Sequence, residues 1–123
     1  MYELSVKASF SAAHRIVGHL GGCANLHGHN WEVEVILRGR KLDGTGFLVD
    51  FKDVKTTVRE VVDKFDHSDL NELKPFRKNN PTSEHLAAYL FKEIALRLNG
   101  PRYRVHGVRV AESPGTSILY LEE

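Results

Sequence analysis

Cysteine, long apolar runs and an excess of charge of one sign are what this chain of 123 residues has least of. Its single cysteine, Cys23, cannot form an intrachain disulfide, which agrees with a reducing compartment and leaves the thiol available for reaction. No hydrophobic stretch is long enough to cross a bilayer, and no charged start followed by an apolar block marks a secretory leader. The expectation is a cytoplasmic protein with neither anchor nor signal peptide. Lys and Arg number 17 against 16 Asp and Glu, with no basic run, which argues against extended nucleic-acid contact and for small-molecule chemistry. No repeat, low-complexity tract or linker interrupts the sequence, and its length suits one domain over residues 1–123.

What is present concentrates near the start. Cys23-Ala24-Asn25-Leu26-His27-Gly28-His29-Asn30 follows a third histidine, His14, in Phe10-Ser11-Ala12-Ala13-His14. Residues two apart on a strand share a face. Tyr2, Leu4, Val6, Ala8, Phe10 and Ala12 form one apolar row ending on His14, and His27 and His29 begin another with Trp31, Val33, Val35 and Leu37. Paired antiparallel, two such strands bring the imidazoles together at one end of a sheet. Three neutral nitrogen ligands leave the fourth position of a zinc ion open, with the Cys23 thiolate nearby to act on what binds there. A structural site with Cys23 as fourth ligand is the alternative, and it leaves nothing free for chemistry.

Asp43-Gly44-Thr45-Gly46 reads as a turn, followed by a brief extended stretch at Phe47-Leu48-Val49. Asp50 has the chemistry of an N-cap, and Phe51, Val54, Val58, Val61, Val62 and Phe65 recur at helical spacing, with Asp66-His67 just beyond. A second helix opens at Pro81-Thr82-Ser83-Glu84, carries Leu86, Leu90, Ile94 and Leu98, and stops at Asn99-Gly100-Pro101. Strand period returns with His106, Val108 and Val110, turns at Ser113-Pro114-Gly115-Thr116, and ends in a strand from Ser117 to Leu121. Glu112 is in phase with Val108 and Val110, where a carboxylate is costly to bury unless it is paired or binds something. The expected fold is α+β: an antiparallel four-stranded sheet with two helices on one face, in the order ββααββ. Its two free edges argue for self-association.

These motifs, Phe10 to Arg15, Cys23 to His29, Val49-Asp50-Phe51, Asp66-His67 with Leu70-Asn71, Pro81 to Glu84, and Glu112 with the strand ending at Tyr120, together resemble the 6-pyruvoyltetrahydropterin synthase family. The resemblance runs almost end to end. Within the family it points to the 6-carboxytetrahydropterin synthase branch of queuosine biosynthesis, because the Cys23-to-His27 spacing is the shorter form. It implies that His14, His27 and His29 bind Zn2+, that Cys23 is the catalytic proton acceptor with Asp66 and His67 completing its relay, and that Glu112 holds the pterin. It also implies the tunnelling fold, an oligomeric barrel in which two trimers stack as a homohexamer with active sites shared between subunits.

The implied substrate is 7,8-dihydroneopterin triphosphate, giving 6-carboxytetrahydropterin, acetaldehyde and triphosphate. A pyruvoyl synthase retaining the three-carbon side chain uses the same site, and a non-catalytic zinc or pterin-binding module is the reading from another class. Glu112 can accept two parallel hydrogen bonds from a pterin edge. Asp66 also has the chemistry of a helix-end cap, Thr82, Ser83 and Glu84 suit capping as well as substrate contact, and His19, His85 and His106 read as surface or packing residues. The triphosphate calls for cationic partners, which the sequence does not single out among its Lys and Arg and which a neighbouring subunit could supply.

Overall fold

Alternation of apolar and polar residues produces two strands of 13 residues each, β1 (Tyr2–His14) and β2 (His27–Gly39). The computed structural model describes residues 1–18, 21 and 24–122, so the candidate residues Cys23 and His19 lie outside the described residues. The strands pair antiparallel along their whole length, with Phe10 opposite Trp31, Ala12 opposite His29 and His14 opposite His27. Leu4, Val6, Phe10, Ala12 and His14 are buried, as are Trp31, Val33, Val35 and Leu37; Tyr2 is exposed and Ala8 only partly covered, so the expected row holds from Leu4 inward.

Helix α1 (Phe51–Val62) begins where expected, Asp50 Oδ1 accepting the Lys52 N–H at 2.8 Å. It buries Val54, Val58, Val61 and Val62, but Phe51 is exposed, and Phe65 joins the core from the turn after the helix. Phe47–Val49 is not a strand. Asp43 accepts the Thr45 and Phe47 N–H groups on its side chain and donates its own N–H to Phe47 O, so the local backbone bonds close a loop rather than a ladder. Helix α2 (Ser83–Leu98) is capped by Thr82, whose hydroxyl accepts the His85 N–H. Leu86, Ala87, Leu90, Phe91, Ile94 and Leu98 form its buried stripe.

The sheet departs from expectation. Ser68–Asp69 forms β3, parallel to Ala12–Ala13, and with β4 (Tyr103–Ser113) and β5 (Thr116–Leu121) makes a five-stranded mixed sheet in the order β3-β1-β2-β4-β5, rather than a four-stranded antiparallel one. Two residues carry no readable period. Side chain and turn create the strand: Asp66 Oδ1 accepts the Ser11 N–H at 2.8 Å, and the His67 N–H donates to Ser11 O at 2.6 Å from a backbone at φ 57°. A second departure lies in β4. The register shifts between Ile36, opposite Gly107, and Leu37, opposite Val105, leaving His106 unpaired as a bulge. Val105 and Val108 therefore both reach the core, and His106 does not continue the row of Val108 and Val110.

Both helices cover one face, α1 against β1 and α2 against β4 and β5. The other face is charged, with Lys7 and Glu32 3.6 Å apart and Arg109 and Glu34 3.2 Å apart. At the β1 edge β3 covers only Ala12 and Ala13, and β5 forms the opposite edge.

Candidate functional site

The β1–β2 register decides the site. Because His14 ends one strand directly opposite the start of the other, His14 and His27 form a cross-strand pair with His29 diagonal to His14. Ring centroids lie 4.6 Å (His14–His27), 4.8 Å (His27–His29) and 5.2 Å (His14–His29) apart. The Trp31 ring, fully buried, stands edge-on to His14 at 4.9 Å and to His29 at 5.4 Å, and its indole N–H is anchored on Ala12 O. The indole supports both rings from below and limits their tilt.

Hydrogen bonds at the other ring nitrogen set the chemistry. His14 Nδ1 lies 2.8 Å from Pro81 O and His27 Nδ1 2.7 Å from Asn25 O; since a carbonyl only accepts, both rings carry the proton on Nδ1 and leave Nε2 with a free lone pair. The Nε2 atoms of His14 and His29 are buried and have no hydrogen-bond partner. Burial, above all, holds His14 below the ordinary histidine pKa; the bond to Pro81 opposes that, and the neighbouring His27 and His29 reinforce it. Imidazole nitrogens gathered in one place, two of them buried without a partner, are a donor set for a cation. One ligand atom from each histidine lies within 4.8 Å of the others, against roughly 3.4 Å between nitrogens on a tetrahedral ion such as zinc. These three residues fit a metal, and among the described residues they are the cluster that does.

Glu112 reaches the same place. Its Oε2 is 3.7 Å from His14 Nε2 and 3.8 Å from His29 Nε2, at the rim rather than in the core, since its side chain is 42% exposed. The expected cost of burying this carboxylate therefore does not arise. Asp66 and His67 pair with each other, Oδ2 to Nδ1 at 3.0 Å, and Asp66 is held below the usual carboxylate range first by the Ser11 N–H and then by His67. Among the described residues neither makes a hydrogen bond or ion pair to His14, His27 or His29. His67, with its side chain 83% exposed, lies along a shallow groove whose lining includes His29 as well as Ser11, Ala12, Ala13 and Asn30.

Sequence reasoning missed the supporting shell. The Pro81 carbonyl owes its place to the α2 cap one residue later, and the side-chain amides of Asn71 and Asn80 hold the backbone just after His14. The Asn80-Pro81-Thr82 run signals a turn into a helix; nothing in it signals that the turn lands on His14.

Motifs spread along almost the whole chain, on this fold, define a single family. The chain belongs to the 6-pyruvoyl tetrahydropterin synthase family, whose sequence profile matches residues 3–123. Similar proteins include a provisionally named 6-carboxy-5,6,7,8-tetrahydropterin synthase of Archaeoglobus fulgidus, 45% identical over 111 residues covering 89% of this chain and 87% of that protein. The 6-carboxy-5,6,7,8-tetrahydropterin synthase of Bacillus subtilis is 32% identical over 97% of this chain and 84% of its own length. Among solved structures, the 6-pyruvoyl tetrahydropterin synthase of Caenorhabditis elegans matches with a TM-score of 0.89 at 28% identity, covering 99% of this chain and 96% of that one.

Proposed function

We propose that this chain is a zinc-dependent lyase converting 7,8-dihydroneopterin triphosphate to 6-carboxy-5,6,7,8-tetrahydropterin, with release of acetaldehyde and triphosphate, in queuosine (7-deazaguanine) biosynthesis. The observation that carries it is the pair of buried, unpartnered Nε2 atoms on His14 and His29, beside His27 and beneath the Glu112 carboxylate. His14, His27 and His29 are the proposed zinc ligands. Zinc held there would polarise the substrate's side-chain hydroxyls and make the attached C–H bonds more acidic.

The remaining roles belong to the chain itself. Glu112 anchors the pterin by accepting two N–H groups, its half-exposed place on the rim keeping the carboxylate open to a planar ligand. Cys23 is the proton acceptor, and His67, oriented by Asp66, passes protons to and from it. Because the exposed His67 makes no bond to an imidazole of its own chain among the described residues, the relay is best completed between copies of the chain. Free strand edges at β1 and β5 support the same reading, a homohexamer built as a dimer of trimers.

A second reading keeps the three-carbon side chain and releases only triphosphate. It is favoured by the likeness to the Caenorhabditis elegans structure and by the Drosophila melanogaster 6-pyruvoyl tetrahydrobiopterin synthase, 31% identical over 95% of this chain. Incubation with 7,8-dihydroneopterin triphosphate separates the two: acetaldehyde in stoichiometric yield supports the carboxy synthase, triphosphate without acetaldehyde supports the pyruvoyl synthase, and neither product removes both.

A further inference from the structure

Beside the histidines lies a groove of about 330 Å3 whose walls carry Arg15, Arg77, Lys78 and Asn79 and one acid, Glu72. Two asparagines build it. Asn71 accepts the Arg15 N–H at 2.9 Å and donates to Arg15 O at 3.0 Å, and Asn80 does the same to Val17 at 3.0 and 2.9 Å. Each amide thus satisfies both backbone groups of one residue, as a neighbouring strand would. The backbone after His14 is held while the Arg15 side chain stays free to face the groove. The groove starts one residue from His14 and one residue from Pro81, whose carbonyl fixes the His14 ring. Neighbouring Cα atoms are only about 3.8 Å apart, so the groove begins next to the backbone that carries His14.

Its charge is uncompensated. Arg38, Arg59, Arg97 and Arg109 each lie within 4.0 Å of a carboxylate, whereas among the described residues none of the ion pairs involves Arg15, Arg77 or Lys78. Arg77 spends one donor on Glu72 O at 3.3 Å and keeps the rest. Three cations against one carboxylate in a concave, polar space attract an anion with several charges.

We propose that this groove binds the triphosphate of the substrate, Arg15, Arg77 and Lys78 supplying the counter-charge while the pterin's side chain lies at the imidazoles. The proposal rests on the function put forward above. A second basic cavity, of about 490 Å3, carries Arg38, Arg40, Lys41, Arg102 and Arg104 and is the more positive of the two. It lies at the far end of β2, twelve residues from His27 at Gly39, or roughly 40 Å at about 3.3 Å per residue. A triphosphate joined to the pterin through three carbons cannot span that distance. Within one chain, reach therefore selects the smaller groove where charge alone would select the larger.

The test uses the zinc-loaded protein, with inorganic triphosphate as probe in calorimetric titrations and dihydroneopterin triphosphate in steady-state kinetics. The variants are Arg15→Gln and Lys78→Gln, with Arg40→Gln/Arg104→Gln as the far-end control. Each groove variant is expected to weaken triphosphate binding and raise KM roughly tenfold, the usual loss for one charge-assisted hydrogen bond, with kcat less affected. The fall of kcat/KM with added salt should be shallower than in the parent. Circular dichroism and zinc content should match the parent. Triphosphate binding lost in the far-end control but kept in the groove variants would overturn the proposal, as would an unchanged KM in both groove variants. Should the parent bind triphosphate in the groove yet turn over no pterin, the proposed reaction fails and the anion site stands.

Discussion

Removing the metal should destabilise the protein by an amount the structure allows one to bracket. Without a cation, the buried Nε2 atoms of His14 and His29 have no partner, and each such orphan costs about 1–3 kcal/mol. With zinc at about 100 times its dissociation constant, binding linkage stabilises the folded state by about 2.7 kcal/mol. An unfolding entropy of about 2.1 cal/mol/K per residue, taken over 123 residues, converts that to roughly 10 °C in Tm. His29→Ala is the cleaner perturbation. The His29 side chain is 22% exposed, whereas truncating His14, 2% exposed, would also orphan Pro81 O and leave a void against Trp31. The assay is scanning calorimetry with and without chelator, alongside zinc stoichiometry by mass spectrometry. The parent should hold about one zinc per chain and lose roughly 10 °C on chelation, and His29→Ala should hold little zinc and be indifferent to chelator. Stoichiometric zinc in His29→Ala, with the full thermal shift, would refute the three-histidine site.

Cys23→Ala should keep its zinc while turnover falls roughly 10²–10⁴-fold, as for loss of a general acid or base; loss of zinc instead would make Cys23 the fourth ligand of a structural site. Glu112→Gln replaces one acceptor with a donor facing the pterin N–H groups, so kcat/KM should fall by at least about tenfold with zinc content unchanged, and parity with the parent would release Glu112 from the role of anchor. Asp66 has a lowered folded-state pKa, so its stabilisation is present above the unfolded value of about 3.9 and is lost as pH falls through the folded one. Urea midpoints of Asp66→Asn should therefore lie below the parent's at neutral pH and converge with them in acid; a gap that persists at low pH would contradict the Ser11 bond as its source. Sedimentation velocity should show an assembly larger than a dimer, and a fully active monomer would contradict a site shared between copies.

The parts of the site that could be read from sequence are those whose placement depends on strand period alone. His14, His27 and His29 sit on β1 and β2, which pair without a bulge over 13 residues, so counting by twos reaches the same end of the sheet that the folded chain does. Counting fails where one residue breaks the period. At His106 a bulge moves Val105 and Val108 onto the same side, and no neighbouring residue announces it. It fails again at β3, where a two-residue strand exists because Asp66 and His67 bond to Ser11, 55 and 56 positions away in the chain. Partners that distant leave no local pattern.

That difference has a functional consequence. The metal ligands are placed by local period and can be found in the sequence; the pieces that orient them, the Pro81 carbonyl, the Trp31 ring and the amides of Asn71 and Asn80, are placed by tertiary contacts. Asn71 and Asn80 lie 56 and 63 residues from the backbone groups they hold, yet they fix the segment that leaves His14 in the direction of Cys23. A substitution in the segments preceding α2 can therefore disturb the backbone at Arg15 and Val17 and the Arg15 side chain together, without touching a histidine.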